Sequence, residues 1–148
     1  MNENNTATNI FDMFETNADL ERNGVRLVYG TNSKGEDMQI TIARAGGANV
    51  QFQQVYEHIT KPYRRQLDTG AKLPKELNDR LNRELYSRAV VKSCSGFEER
   101  DLTPIPTSTP QEIAEFFKRL PNLFADVMVQ ASSMGLFRDE VREGAAGN

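Results

Sequence analysis

VRLVYGTNSKGEDMQITIA, residues 25–43, decides the fold class, because the strand signals of this chain are confined to it. Val25, Leu27 and Tyr29 fall on one face of an extended segment, with Arg26 and Val28 on the other. Met38, Ile40 and Ile42 alternate in the same way against Gln39, Thr41 and Ala43. Period-two alternation marks half-buried strands, and TNSKGED between them supplies the Asn, Ser and Gly of a turn, so a β-hairpin is predicted. A lone hairpin is marginal in water. Its apolar face must therefore lie on helices, and its free edges must be blunted or used to pair with another chain.

Working outward, the rest of the chain reads as helix. Gly46-Gly47 permits backbone angles closed to other residues and turns the chain into a helix from Ala48 to about Leu67. Phe52, Val55, Tyr56, Ile59 and Tyr63 form its apolar stripe. Pro62 should bend that helix near Lys61. Lys61, Arg64 and Arg65 crowd its end, where the helix dipole favours cations by about 0.3–1 kcal/mol each. A second helix is predicted from Pro74 to about Val91, with Leu77, Leu81, Leu85 and Ala89 inward and a mixed charged face outward. Ser93 to Ser108, with Gly96, Pro104 and Pro106, reads as a long surface loop. Thr109-Pro110-Gln111-Glu112 combines a capping box with proline at the first helical position. Ile113, Phe116, Phe117 and Leu120 line the helix it opens. Pro121 breaks or restarts it, and Leu123, Phe124, Val127, Met128 and Ala131 line a last helix that Gly135 should end.

The expected architecture is α+β and predominantly helical, an N-terminal hairpin packed on four or more helices. One domain spans residues 20–142, after a flexible arm at 1–19 and before a polar tail at 143–148. In the arm only Ile10, Phe11, Met13 and Phe14 can bury anything. Two roles are open to that cluster: covering an edge of its own domain, or docking on a neighbouring subunit.

With 148 residues and a net charge of −3, the chain lacks the basic surplus that phosphate binding needs, so nucleic acid is not an expected partner. Residues 1–56, 57–92 and 93–148 carry balances of −3, +4 and −4, a basic middle between acidic flanks. No apolar run approaches the roughly 20 residues of a membrane span. The single cysteine, Cys94, excludes an internal disulfide. The single imidazole, His58, has no Ser, Cys or second His at a spacing that would commit it to a triad or a metal site. Glu98, Glu99 and Asp101 lack the spacing and glycine of a calcium loop, and AGGAN matches no phosphate loop. No enzyme activity, metal or cofactor is expected.

Several stretches resemble the tail assembly chaperones of long-tailed bacteriophages. In order they are the strand VRLVY at 25–29, ITIARAGGAN at 40–49, KPYRR at 61–65, PNLFADVMVQAS at 121–132 and FRDE at 137–140. The resemblance implies a non-enzymatic protein that binds the tape measure protein, keeps that long apolar helical chain soluble and helps to recruit tail tube subunits. It further implies residence in the host cytoplasm and absence from the mature virion. A helical client is best held by an apolar groove between helices, which directs attention to Phe116, Phe117, Leu123, Phe124, Val127 and Met128. Arg44, Gly46, Gly47, Tyr63, Arg64 and Arg65 match family-motif positions with an expected structural role; of these Arg44, Tyr63, Arg64 and Arg65 are the most distinctive, expected mainly to hold the hairpin to the helices, with partner contact as the second role open to them. A homo-oligomer is compatible with this reading.

The chain departs from that family where relatives carry a tryptophan-containing loop. Here the loop reads KSCSGFEERDLTPIP at 92–106 without tryptophan, so an aromatic role there passes to Phe97. The alternative reading is a structural tail or connector protein of the virion, since an exposed hairpin with a polar arm also suits ring assembly.

Overall fold

In the computed structural model, which describes residues 9–138, the 25–43 stretch folds back on itself as predicted. β1 (Val25–Thr31) and β2 (Asp37–Ile42) pair antiparallel, with Val25 opposite Ile42 and Leu27 opposite Ile40. Asn32 shapes the turn. Its side-chain carbonyl accepts the N–H groups of Lys34 and Glu36, both at 2.9 Å.

A third strand that the alternation did not reveal, β3 (Val91–Ser95), pairs antiparallel with β2, giving the sheet order β1-β2-β3. Its first half occupies the end of the expected second helix and its second half the start of the expected loop. The pairing shifts register between Thr41 and Ile42, so Val91 and Cys94, three residues apart, are both buried. A bulge of this kind breaks the period of two by which a strand is recognised. On the outer face Gln39 donates to Ser95 Oγ at 2.9 Å and accepts from Thr41 Oγ1 at 3.1 Å, a polar ladder that satisfies its own side chains.

The helices follow in the expected order. α3 (Val50–Thr60) runs into a 3₁₀ turn at Lys61–Tyr63 and then α4 (Arg64–Asp68), so Pro62 produces the bend. Along the stripe Val55 and Ile59 are buried, Phe52 and Tyr63 half-buried, and Tyr56 exposed. α5 (Lys75–Ala89) starts after Pro74 and buries Leu81, Leu85 and Ala89. α6 (Pro110–Arg119) opens with a complete capping box. Thr109 Oγ1 accepts the Glu112 N–H at 3.1 Å, and the Glu112 carboxylate accepts the Thr109 N–H, also at 3.1 Å. α7 (Pro121–Ala131) restarts at the proline. It ends at Ala131 rather than at Gly135, because the N–H groups of Ser132 and Ser133 bond back to Val129 and Gln130 and tighten the last turn. Gly135 lies inside a 3₁₀ turn at Met134–Phe137 that buries Leu136 and Phe137.

Two short helices lie at the N-terminal end of the described residues. α1 (Ile10–Phe14) and α2 (Ala18–Asn23) precede the sheet, and a division at residue 19 would cut α2. Asn17 caps α2 by accepting the N–H groups of Asp19 at 2.9 Å and Leu20 at 3.1 Å. Residues 1–8 of the arm and the polar tail at 143–148 lie outside the described residues.

Seven aromatic rings join the layers. Tyr29 on β1 meets Phe97 at 6.3 Å, Phe97 meets Phe116 at 5.0 Å, and Phe116 meets Phe117 at 6.2 Å. Phe117 stacks on Phe124 at 5.0 Å, and Tyr86 stands edge-on to both Phe124 and Phe52, at 5.6 and 5.7 Å. Rings at these separations add about 0.5–1.5 kcal/mol per pair beyond the area they bury. The spine thus runs from the sheet through α6 and α7 to α5 and α3. At its sheet end the Tyr29 hydroxyl donates to Asp126 on α7 at 2.7 Å. Burial, with that carboxylate's hydrogen bond and charge, holds the phenol protonated well above the usual tyrosine range.

Candidate functional site

The apolar residues singled out on α6 and α7 lie mostly inside the protein. Phe116, Phe117, Phe124 and Val127 are core side chains, three of them members of the aromatic spine, and so are not presented to a partner in this conformation. The 3.6-residue stripe that points to a groove points equally to a core, and the sheet and α5 fill it. Leu123 and Met128 are half-buried against the same core. The apolar side chains that do face solvent here are Leu120 at the α6–α7 junction and Val129 on α7.

Three of the family-motif residues converge on one junction. Arg44 pairs with Glu21 of α2, whose side chain is only 5% exposed. The same carboxylate accepts the Ala48 N–H at 3.0 Å and the Thr16 hydroxyl at 2.8 Å. Burial alone would raise the pKa of this group. The hydrogen bonds from Arg44, Ala48 and Thr16, with the guanidinium charge, outweigh that and hold it below the usual carboxylate range. Gly47 has φ +55°, and a Cβ there would sit 2.9 Å from the Glu21 carboxylate, so the ion pair needs glycine at this point. Backbone bonds tie the segment outward, with Ala43 N–H to Val90 O at 2.8 Å and Ala45 N–H to Ala131 O at 2.9 Å. Asn49 is buried and donates its amide to Arg44 O and Ala89 O, both at 2.8 Å. ARAGGAN is thus the joint at which α2, the sheet and the C-terminal ends of α5 and α7 meet.

Tyr63 packs half-buried against the core, whereas Arg64 and Arg65 are exposed and make no ion pair among the described residues. These two arginines therefore do not hold the hairpin to the helices. Their place on a short exposed helix after the Pro62 bend turns both side chains to solvent. Glu21 and Asn49, which carry the joint, were missed as site residues. Asn49 has one signal, polar character beside a double glycine, and Glu21, far off in the chain, has none.

The joint yields a pH prediction. A carboxylate with a depressed folded-state pKa adds stability above its unfolded value, and that stability is lost as the pH falls through the folded value. Wild-type stability should therefore decline as the pH drops below about 4.5, the ordinary value for this group. Glu21→Gln should lower the unfolding free energy near neutral pH by about 1.5–3 kcal/mol, the range for hydrogen bonds to charged groups, and should flatten the acid decline. Urea titrations at several pH values check both. An unchanged acid limb in the variant would remove Glu21 as its cause.

No group of three or more His, Cys, Asp or Glu side chains could hold a metal ion among the described residues. His58 is exposed. Cys94 is buried on β3, and burial pushes its thiol up to about 11, opposed only in part by a hydrogen bond involving Thr107. It is protonated at neutral pH and is not an activated nucleophile. None of the described helices is long and apolar enough to cross a membrane.

Two surface features remain. α1 turns Ile10, Phe11, Met13 and Phe14 to solvent, at 57, 64, 42 and 58% exposure. Between α5 and α6 runs a groove of about 550 Å³ with Arg80, Arg83, Arg88 and Lys118 on its walls, facing Glu84 and Glu115.

No curated protein and no solved structure matches the chain significantly. A family model described as YdaY prophage protein matches residues 47–148, from the second glycine of the joint through α7 and beyond. That span covers more than half of the chain, which therefore belongs to the YdaY prophage protein family.

Proposed function

We propose that this prophage protein is a tail assembly chaperone. It binds the tape measure protein of its phage, keeps that chain soluble and helps to recruit tail tube subunits. It does so without catalysis, in the host cytoplasm, and does not remain in the finished virion. The observation that carries the reading is the ordered set ITIARAGGAN, KPYRR and PNLFADVMVQAS in a chain of a prophage family. Because Phe116, Phe117, Phe124 and Val127 are core, the proposed client contact falls on Leu120, Met128 and Val129, the solvent-reaching apolar residues at the α6–α7 junction and along α7. Exposed Leu120 and Val129, with the adaptable half-buried Met128 beside them, suit weak repeated binding to a helical client.

Co-expression with the tape measure protein of the same phage should raise the soluble yield of that partner, with no nucleotide, metal or cofactor added. Equal insolubility with and without this chain would overturn the proposal. A structural tail or connector role is the second reading, favoured by β1, which among the described residues pairs on one side only. Abundant protein in purified virions, seen by mass spectrometry, would select it.

A further inference from the structure

We infer that the apolar turn of α1 inserts into the α5–α6 groove of a second copy of this chain. Four large apolar side chains on a single helical turn, each more than 40% exposed, form a contiguous patch that its own domain leaves uncovered. The turn is held in place at its base. The Asn17 N–H donates to Phe137 O at 2.7 Å, and the Arg138 guanidinium donates to the Asp12 carbonyl. None of the described residues of the arm lines the groove of its own chain.

Charge selects the occupant. Residues 9–15, the turn and its flanks, carry Asp12 and Glu15 and no basic side chain, whereas Asp19 on α2 is paired with Arg22 at 2.7 Å. In the groove Glu84 is already paired with Arg88 at 2.9 Å, whereas Arg80, Arg83 and Lys118 make no ion pair among the described residues. Asp79, next to Arg80, is engaged by Lys75 at 2.7 Å. An acidic apolar turn therefore meets a groove with basic walls, floored by Pro110, Ala114 and the aliphatic stems of the arginines. From Arg80 to Arg88 the groove follows about 12 Å of α5, enough for the roughly 8 Å of a five-residue helix. Arm and groove are different patches, so the contact closes as a dimer only if the two copies exchange arms, and otherwise grows into a ring or chain.

Sedimentation equilibrium of the full-length chain tests this, and needs no client, so its outcome is independent of the chaperone assignment. The wild type should self-associate at micromolar concentration in low salt and weaken in high salt. Phe11→Asp with Phe14→Asp should give monomer, as should Arg80→Glu with Arg83→Glu. These positions are exposed or half-buried, and unchanged thermal melts by circular dichroism would show that both variants fold. Mixing Arg80→Glu/Arg83→Glu with Asp12→Lys/Glu15→Lys should restore association, since the wild-type arm of the first then fits the wild-type groove of the second, and the reversed arm of the second the reversed groove of the first. A wild type that stays monomeric, association that survives the arm or groove variants, or a mixture that fails to associate would each overturn the inference.

Discussion

Phe117→Ala should lower the unfolding free energy by about 3–5 kcal/mol, the range for removing a buried phenylalanine. Phe117 is fully buried at the centre of the aromatic spine, between Phe116 and Phe124. Its loss leaves a cavity that α6 and α7 cannot close, because the capping box fixes one end of α6 and Pro121 fixes the junction between them. Against a typical total of about 5–15 kcal/mol, that is a large fraction. The urea midpoint should fall with an unchanged slope, the sign of altered stability rather than altered compactness. The same variant separates core from contact. Were Phe117 a client-binding residue, stability would stay within about 0.5 kcal/mol of wild type, as for ordinary surface substitutions, while client binding fell.

Gly96→Ala should be at least as damaging, through the backbone rather than the core. Gly96 has φ +90°, and a Cβ there would stand 2.1 Å from the carbonyl oxygen of Asp37. The left-handed conformation costs a non-glycine residue about 1–3 kcal/mol. The clash is with main chain, which no rotamer relieves, and overpacking of this kind adds about 1–3 kcal/mol more. Relief requires the start of β2 to move away from the end of β3, and the Asn32 amide, which donates to Gly96 O at 3.0 Å, would lose its acceptor. Thermal denaturation should show a large fall in Tm. An alanine variant as stable as wild type would mean that the two strands do not approach as closely as described.

The hairpin was legible because both of its strands alternate and polar turn residues separate them. The capping box was legible because its four residues are contiguous. β3 was not, since its two inward residues, Val91 and Cys94, are three apart across a bulge and its outward residues are Lys92, Ser93 and Ser95. That pattern looks like loop until β2 is in place beside it. The same limit explains the α6–α7 stripe. Periodicity shows that Phe116, Phe117, Phe124 and Val127 share an apolar side, but what covers that side depends on Tyr86, Phe97 and Phe52, which lie far off in the chain. The joint around Glu21 is harder still, because its partners Arg44 and Ala48 are brought to it by a turn of two glycines, and spacing gives no hint that a carboxylate from α2 closes it.

Cys94 gives this sheet a reporter of its own. The thiol sits on β3 opposite Ile40, buried and held protonated, so a thiol-specific reagent reaches it only when β3 detaches from β2 or the whole chain unfolds. It is the sole cysteine, so each molecule reacts once and the labelling rate counts openings of one strand. Where closing is faster than labelling, that rate gives the free energy of the local opening. Comparing it with the global value from denaturant would tell whether the third strand leaves by itself or only with the rest of the protein.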